Sequence, residues 1–202
     1  MTARTATRSR STKETSIEVK LAVEGTGQVE VFTGLPFFDH MVSQLGKHAG
    51  FDLRVAAHGD LDVDAHHTVE DTGILIGEAL REALGDKAGI RRFASIAVPL
   101  DEALIEVALD LSGRPFLLYE VDPGAGGDAF PLGSPPFDPQ LAEEFWRALV
   151  TSAAITLHLR MRSGRNAHHI LEASFKGVAR ALRDAVRVES AGGDVPSTKG
   201  TL

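Results

Sequence analysis

Two stretches decide how this chain is read: Asp64-Ala65-His66-His67-Thr68-Val69-Glu70 and Asn166-Ala167-His168-His169-Ile170-Leu171-Glu172. Each is a pair of adjacent histidines with a glutamate three and four residues further on. Four imidazoles and two carboxylates in a repeated setting predict an internally duplicated chain that holds two metal ions.

Working outward, the pattern around the motifs repeats as well. Ile17, Val19, Leu21 and Val23 alternate with polar or small residues, Gly25-Thr26-Gly27 turns the chain, and Gln28 to Phe32 completes a predicted hairpin. Pro36 opens a helix in which Phe37, Met41, Leu45 and Ala49 share a face. Phe51 to Ala57 reads as a strand, Leu61 to Val63 as a shorter one, and a helix carries the first motif to about Leu84. Gly85-Asp86-Lys87-Ala88-Gly89 breaks the chain between halves. The second half follows with a hairpin (Phe93 to Pro99, Ala103 to Leu111), a strand at Phe116 to Val121, a helix from about Pro139, a strand at Ile155 to Met161 and a helix from Ala167 to about Val188. Asp39-His40-Met41-Val42-Ser43-Gln44-Leu45 superposes on Glu143-Glu144-Phe145-Trp146-Arg147-Ala148-Leu149. The predicted architecture is α+β: duplicated β-hairpin/helix/strand/helix units over 14–88 and 89–189, with helices packed on β-sheets, within one domain spanning 14–202. Residues 1–13 read as a flexible N-terminus, 122–139 as an inserted Gly- and Pro-rich loop, and 190–202 as a Gly/Ser/Pro tail.

At 202 residues, 43% hydrophobic and 24% charged, the chain can bury a substantial core. It has no cysteine, so any metal must be held by nitrogen and oxygen ligands. No apolar run approaches the roughly 20 residues of a membrane span, and the start lacks the apolar core of a signal peptide. A cytoplasmic setting is expected. The net charge of −7 argues against a general nucleic-acid or lipid surface but leaves room for a local basic pocket that takes one phosphate.

Helix geometry sorts the candidate ligands. Neighbouring residues differ by about 100° in direction, whereas residues four apart share a face. His66 therefore pairs with Glu70, and His168 with Glu172, while His67 and His169 point elsewhere and are free to complete the other ion's shell. This predicts His66, Glu70 and His169 on one metal, and His168, Glu172 and His67 on the other. The superposed helices add His40 to the first set and Glu144 to the second, with the adjacent Glu143 as an alternative. His58, placed in a turn, and His158, on a strand, read as structural. Imidazoles suit zinc, iron and nickel, and carboxylates shift the preference toward manganese.

Phe37-Phe38-Asp39-His40-Met41, Asp64-Ala65-His66-His67-Thr68-Val69-Glu70-Asp71, Asp110-Leu111-Ser112-Gly113-Arg114-Pro115, His168-His169-Ile170-Leu171-Glu172-Ala173 and Pro196-Ser197-Thr198-Lys199-Gly200 resemble, in order, the signatures of the imidazoleglycerol-phosphate dehydratases of histidine biosynthesis. The resemblance runs from about Glu14 to Leu202. It implies a ribosomal protein S5 domain 2-like fold, two manganese ions per subunit and a homo-oligomeric cage of 24 subunits with active sites between them. Where this chain has Glu144, some members carry histidine.

The implied activity is that of a hydro-lyase, converting D-erythro-imidazole-glycerol phosphate to imidazole acetol phosphate plus water. The hydrogen to be removed sits on a carbon with no adjacent carbonyl, so direct abstraction would be slow. Two Lewis-acidic ions on the ring nitrogens favour an imidazolate, whose electrons expel the neighbouring hydroxyl to give a diazafulvene; loss of the acidified C–H then gives an enol that tautomerises to the ketone. The resemblance assigns Glu14 as proton carrier, with Glu172 or a metal-bound water as rivals. It also implies that Arg92, Arg114, Lys176, Ser197, Thr198 and Lys199 bind the phosphate, with Arg91 the alternative to Arg92, and that the tail closes over the bound substrate. Gln44, one turn after His40, is placed to touch the glycerol or phosphate end, with Lys47 and His48 further along. From the ligands alone, a dinuclear metallohydrolase or a metal-binding cage protein are the competing readings.

Overall fold

The computed structural model describes residues 3–125, 127, 131–190 and 193–202. The first half contains β1 (Thr5–Ser11), β2 (Thr15–Ala22), β3 (Val29–Phe32), α1 (Pro36–Ala49), β4 (Asp52–Gly59) and α2 (His66–Leu84). The second contains β5 (Phe93–Leu100), β6 (Ala103–Asp110), β7 (Phe116–Glu120), α3 (Leu141–Ala153), β8 (Thr156–Ser163) and α4 (Ala167–Ala185). Each half builds one four-stranded sheet, in the orders β1-β2-β4-β3 and β5-β6-β8-β7. The element order and the sheet order are thus the same in both halves.

The N-terminal expectation is corrected: Thr5–Ser11 is a strand, paired antiparallel to β2 from Thr5↔Ala22 to Ser11↔Ser16. Only Ala6 in it is buried, so it shows almost no hydrophobic alternation; its Thr, Arg and Ser side chains are those of a solvated edge strand. The predicted hairpin between β2 and β3 is corrected with it. β2 buries every second residue and lies between β1 and β4, while β3 runs parallel to β4 on the far side. Leu61 to Val63 is not a strand, because the amides of Val63 and Asp64 both fold back onto the Asp60 carbonyl. His58 lies on β4 rather than in a turn. The predicted 122–139 loop and 190–202 tail each include positions outside the described residues.

Each sheet carries its own pair of helices on its inner face. α2 packs on β1 and β2 and α1 on β3, while α4 packs on β5 and β6 and α3 on β7. The two helical layers meet in the middle, where α1 packs against α4 and α2 against α3. The α2–α3 approach is close enough to demand glycine: a Cβ at Gly73 would lie 2.7 Å from the Phe145 carbonyl oxygen, and one at Gly77 would lie 2.5 Å from that of Leu149. Phe38, Phe137, Phe145, Trp146 and Phe175 fill the centre, with Phe38 stacked on Phe137 and Phe145 on Phe175. Among the described residues no helix is long and apolar enough to cross a membrane.

Candidate active site

The helix pairing decides which ligands meet. His40 on α1, and His168 and Glu172 on α4, converge with one ligand atom each within 4.8 Å of one another. Nε2 of His168 lies 2.8 Å from Glu172 Oε2, and Nε2 of His40 lies 3.2 Å from the same oxygen. Phe37 sits edge-on to the His168 ring at 5.3 Å and fixes its plane. Lys176, one turn further along α4, pairs with the other Glu172 oxygen at 2.5 Å. Burial would raise the Glu172 carboxyl, but hydrogen bonds from Lys176, His168 and His40 outweigh it and hold the group down at about 2. Two imidazole nitrogens and a carboxylate oxygen on one edge fit a divalent first-row cation.

This corrects the sequence expectation for His40, which joins the His168 and Glu172 set and not that of His66 and Glu70. Glu144 lies on α3, which packs on α2, the helix of His66 and Glu70. Equivalent helices of the two halves trade partners, which superposition of sequences alone does not reveal. The His66 set is looser. Nε2 of His66 is 3.9 Å from Glu70, and the Glu144 carboxylate lies 3.8 Å from Arg147. Glu143 is tied to the same arginine.

The second histidine of each motif is held separately. His67 donates from Nδ1 to Asp60, 3.0 Å from Oδ2, and His169 donates from Nδ1 to Glu102 Oε2 at 2.8 Å. Neither joins a cluster of three ligands among the described residues. Asp60 holds His67 above the ordinary histidine range, and the charges of Glu14 and Asp71 add to the effect against the opposing pull of burial. Glu14 itself lies in the β1–β2 turn, exposed, with its side chain unpaired among the described residues; its carbonyl accepts from the Asp60 amide at 3.1 Å.

The substrate candidates fall into two groups. Gln44 and His48 on α1 and Lys176 on α4 stand beside the His40, His168 and Glu172 cluster, where His48 Nε2 donates to Gln44 Oε1 at 3.1 Å and Gln44 Nε2 donates to His40 Nδ1 at 3.3 Å. Burial lowers His48, helped by the nearby charges of Lys176, Arg180 and Lys47 and opposed by Glu172. The stem of Lys47 lies beside Gly27, off the face shared by His40, Gln44 and His48. The other group, Arg92, Arg114, Ser197, Thr198 and Lys199, lines a cavity of about 660 Å³. Arg92 rather than Arg91 is the lining arginine; Arg91 approaches Glu189. Arg92 forks onto Asp110 at 2.7 and 3.1 Å and donates to the Pro196 carbonyl at 2.7 Å, which anchors the tail. It also has a left-handed φ of 74°, a strained conformation stabilised by these contacts.

A family model described as imidazoleglycerol-phosphate dehydratase matches residues 33–182, a span holding both motifs, His40 and Glu144. The chain belongs to the imidazoleglycerol-phosphate dehydratase family. It is 58% identical to the dehydratase of Acidothermus cellulolyticus over 98% of this chain and 93% of that one. With that of Parafrankia sp. it shares 56% identity over 99% of this chain and 100% of the relative. The solved structure from Pyrococcus furiosus is similar with a TM-score of 0.80 and 37% identity, covering 96% of this chain and 100% of that one. That of the Staphylococcus aureus dehydratase also gives 0.80, at 33% identity over 91% and 99%.

Asp60, Glu102 and Arg180 were not singled out by sequence reasoning. For Glu102 a signal existed: it immediately precedes β6 as Glu14 immediately precedes β2, so the two glutamates occupy the same place in the repeated topology. Asp60 has no such counterpart and is visible only once β4 is seen to end beside α2.

Proposed function

We propose that this dehydratase-family chain removes water from imidazoleglycerol phosphate to give imidazole acetol phosphate, using two manganese ions, in a large homo-oligomer whose active sites lie between subunits. The observation that carries the reading is the convergence of His40, His168 and Glu172, with Gln44, His48 and Lys176 beside them. His40, His168 and Glu172 would hold one such ion, which would supply Lewis-acid chemistry that eases loss of the substrate's ring proton.

The distances along α4 argue for a shared site. His168 and Glu172 stand near its N-terminal end, whereas the Arg92 amide donates to the carbonyl of Ala185 at its last residue. Glu172 and Ala185 are thirteen helical steps apart, about 20 Å at the α-helical rise. An imidazole with a three-carbon chain and one phosphate does not span that gap. The ligand cluster of one copy and the tail cavity of another together supply what one substrate needs, with His67 and His169 completing metal shells across the same boundary. Within that site, Glu14 is free to carry a proton between the departing hydroxyl and the C–H, because no other described side chain engages its carboxylate. Arg92, Arg114, Ser197, Thr198 and Lys199 hold the phosphate, and the tail excludes water while the proton moves.

A product assay tests the reading. Manganese-loaded protein given imidazoleglycerol phosphate is expected to form a ketone and leave the phosphate ester intact; release of inorganic phosphate would mark a metallohydrolase instead. Truncation after Pro196 is expected to raise KM and lower kcat while metal content stays the same. Unchanged kinetics would remove the tail from the site.

A further inference from the structure

The two histidines that stand apart from the His40 cluster share a feature that their helix positions do not explain. His67 and His169 are each hydrogen-bonded at Nδ1 to a carboxylate from another element: Asp60, at the end of β4, and Glu102, in the β5–β6 turn. These carboxylates come from different places in the repeat. The position matching Glu102 in the first half is Glu14, which does not take this part. The same arrangement is therefore reached twice by different routes.

We infer that Asp60 and Glu102 are positioning residues that lock His67 and His169 in the Nδ1–H tautomer and direct Nε2 outward as a ready metal ligand. A carboxylate accepts only, so the ring nitrogen facing it must carry the proton, and the lone pair is left on Nε2. An anionic partner also increases the basicity of that lone pair and its affinity for a cation. The surroundings of Nε2 agree: on His169 the nearest carboxylate is the exposed Asp101, at 3.7 Å, beyond hydrogen-bonding reach. His40 and His168 are arranged the other way, with Nε2 facing the Glu172 carboxylate.

Glu102 shows why an amide would not serve. Its Oε1 accepts from the backbone amides of Arg165 and Asn166, at 3.1 and 2.8 Å, while Oε2 accepts from His169. These three bonds use both oxygens and pull the carboxyl down to about 2. A glutamine has one acceptor oxygen. Keeping the backbone contacts turns its NH2 toward His169 and forces the proton onto Nε2, the atom that should bind the metal.

The inference rests on the proposed reading of His67 and His169 as ligands, and the test separates the two. Metal-stripped full-length protein is titrated with Mn2+, following free ion by electron paramagnetic resonance, for Asp60→Ala, Glu102→Gln, His67→Asn and His169→Asn. The histidine variants are expected to lose tight binding of one ion each, and the carboxylate variants to weaken it about 10–100-fold. Histidine-labelled 15N spectra give a readout that a purely structural role would not move: Asp60→Ala should shift the Nδ1–H signal that His67→Asn removes. Normal Mn2+ affinity in both carboxylate variants, with loss in the histidine variants, overturns the positioning role and leaves the ligand reading standing. Two tight ions in His67→Asn and His169→Asn overturn both. If Glu102→Gln does not fold for want of its contacts to Arg165 and Asn166, Asp60→Ala decides, since the Asp60 side chain holds only His67 among the described residues.

Discussion

The two copies of the histidine motif differ most in what surrounds them. In the second, His168, Glu172 and His40 are already in contact and Lys176 balances the charge. In the first, His66 stands 3.9 Å from Glu70, and the partner helix offers Glu144, engaged with Arg147. The residue matching Lys176 there is Ile74. Two imidazoles, a carboxylate and an ammonium attract one another without a metal. One imidazole and two carboxylates have no such mutual attraction. One pattern thus yields a close set on α4 and a more widely spaced one on α2.

A second pair sharpens the contrast. Glu14 and Glu102 precede equivalent strands, yet Glu102 is fully engaged and the Glu14 side chain has no partner among the described residues. Glu14→Gln is expected to lower kcat by about 10²–10⁴, the usual contribution of a positioned proton carrier, while Mn2+ content and KM hold. Near-normal turnover would make Glu14 an ordinary surface charge.

Glu144→Gln is expected to weaken one manganese ion at least ~10-fold, since even removal of an outer-shell partner does so. The ion affected should be the one lost in His66→Asn; if it is the one lost in His168→Asn, the helix pairing does not govern ligation. Gly73→Ala presses a methyl on the Phe145 carbonyl and should destabilise the fold by about 1–3 kcal/mol in denaturant titration, loosening the more widely spaced set before the close one. Glu143→Gln, which gives up only an exposed pair with Arg147, should cost no more than ~0.5 kcal/mol and leave metal binding untouched. A larger metal effect there than in Glu144→Gln would reverse the choice between the two neighbours.

Much of this was legible in the residues because it is local. The spacing of His66 and Glu70, or His168 and Glu172, puts each pair on one helical face whatever the rest of the chain does, and the alternation in β2 marks a strand with a buried side. β1 escaped because a solvated edge strand has little hydrophobic signal, and the β2–β3 hairpin was misread because nearness in sequence does not say which strand edge is free. The sequence by itself determined the repeated elements and the inventory of nitrogen and oxygen ligands. Only the tertiary structure decided that α1 lies on α4 and α2 on α3, and so that His40 faces Glu172, that Asp60 reaches His67 and that Arg92 sits at the far end of α4 from His168. Those choices depend on whole faces fitting together, down to the room left at Gly73 and Gly77, and a packing preference spread over many side chains leaves no short pattern to read.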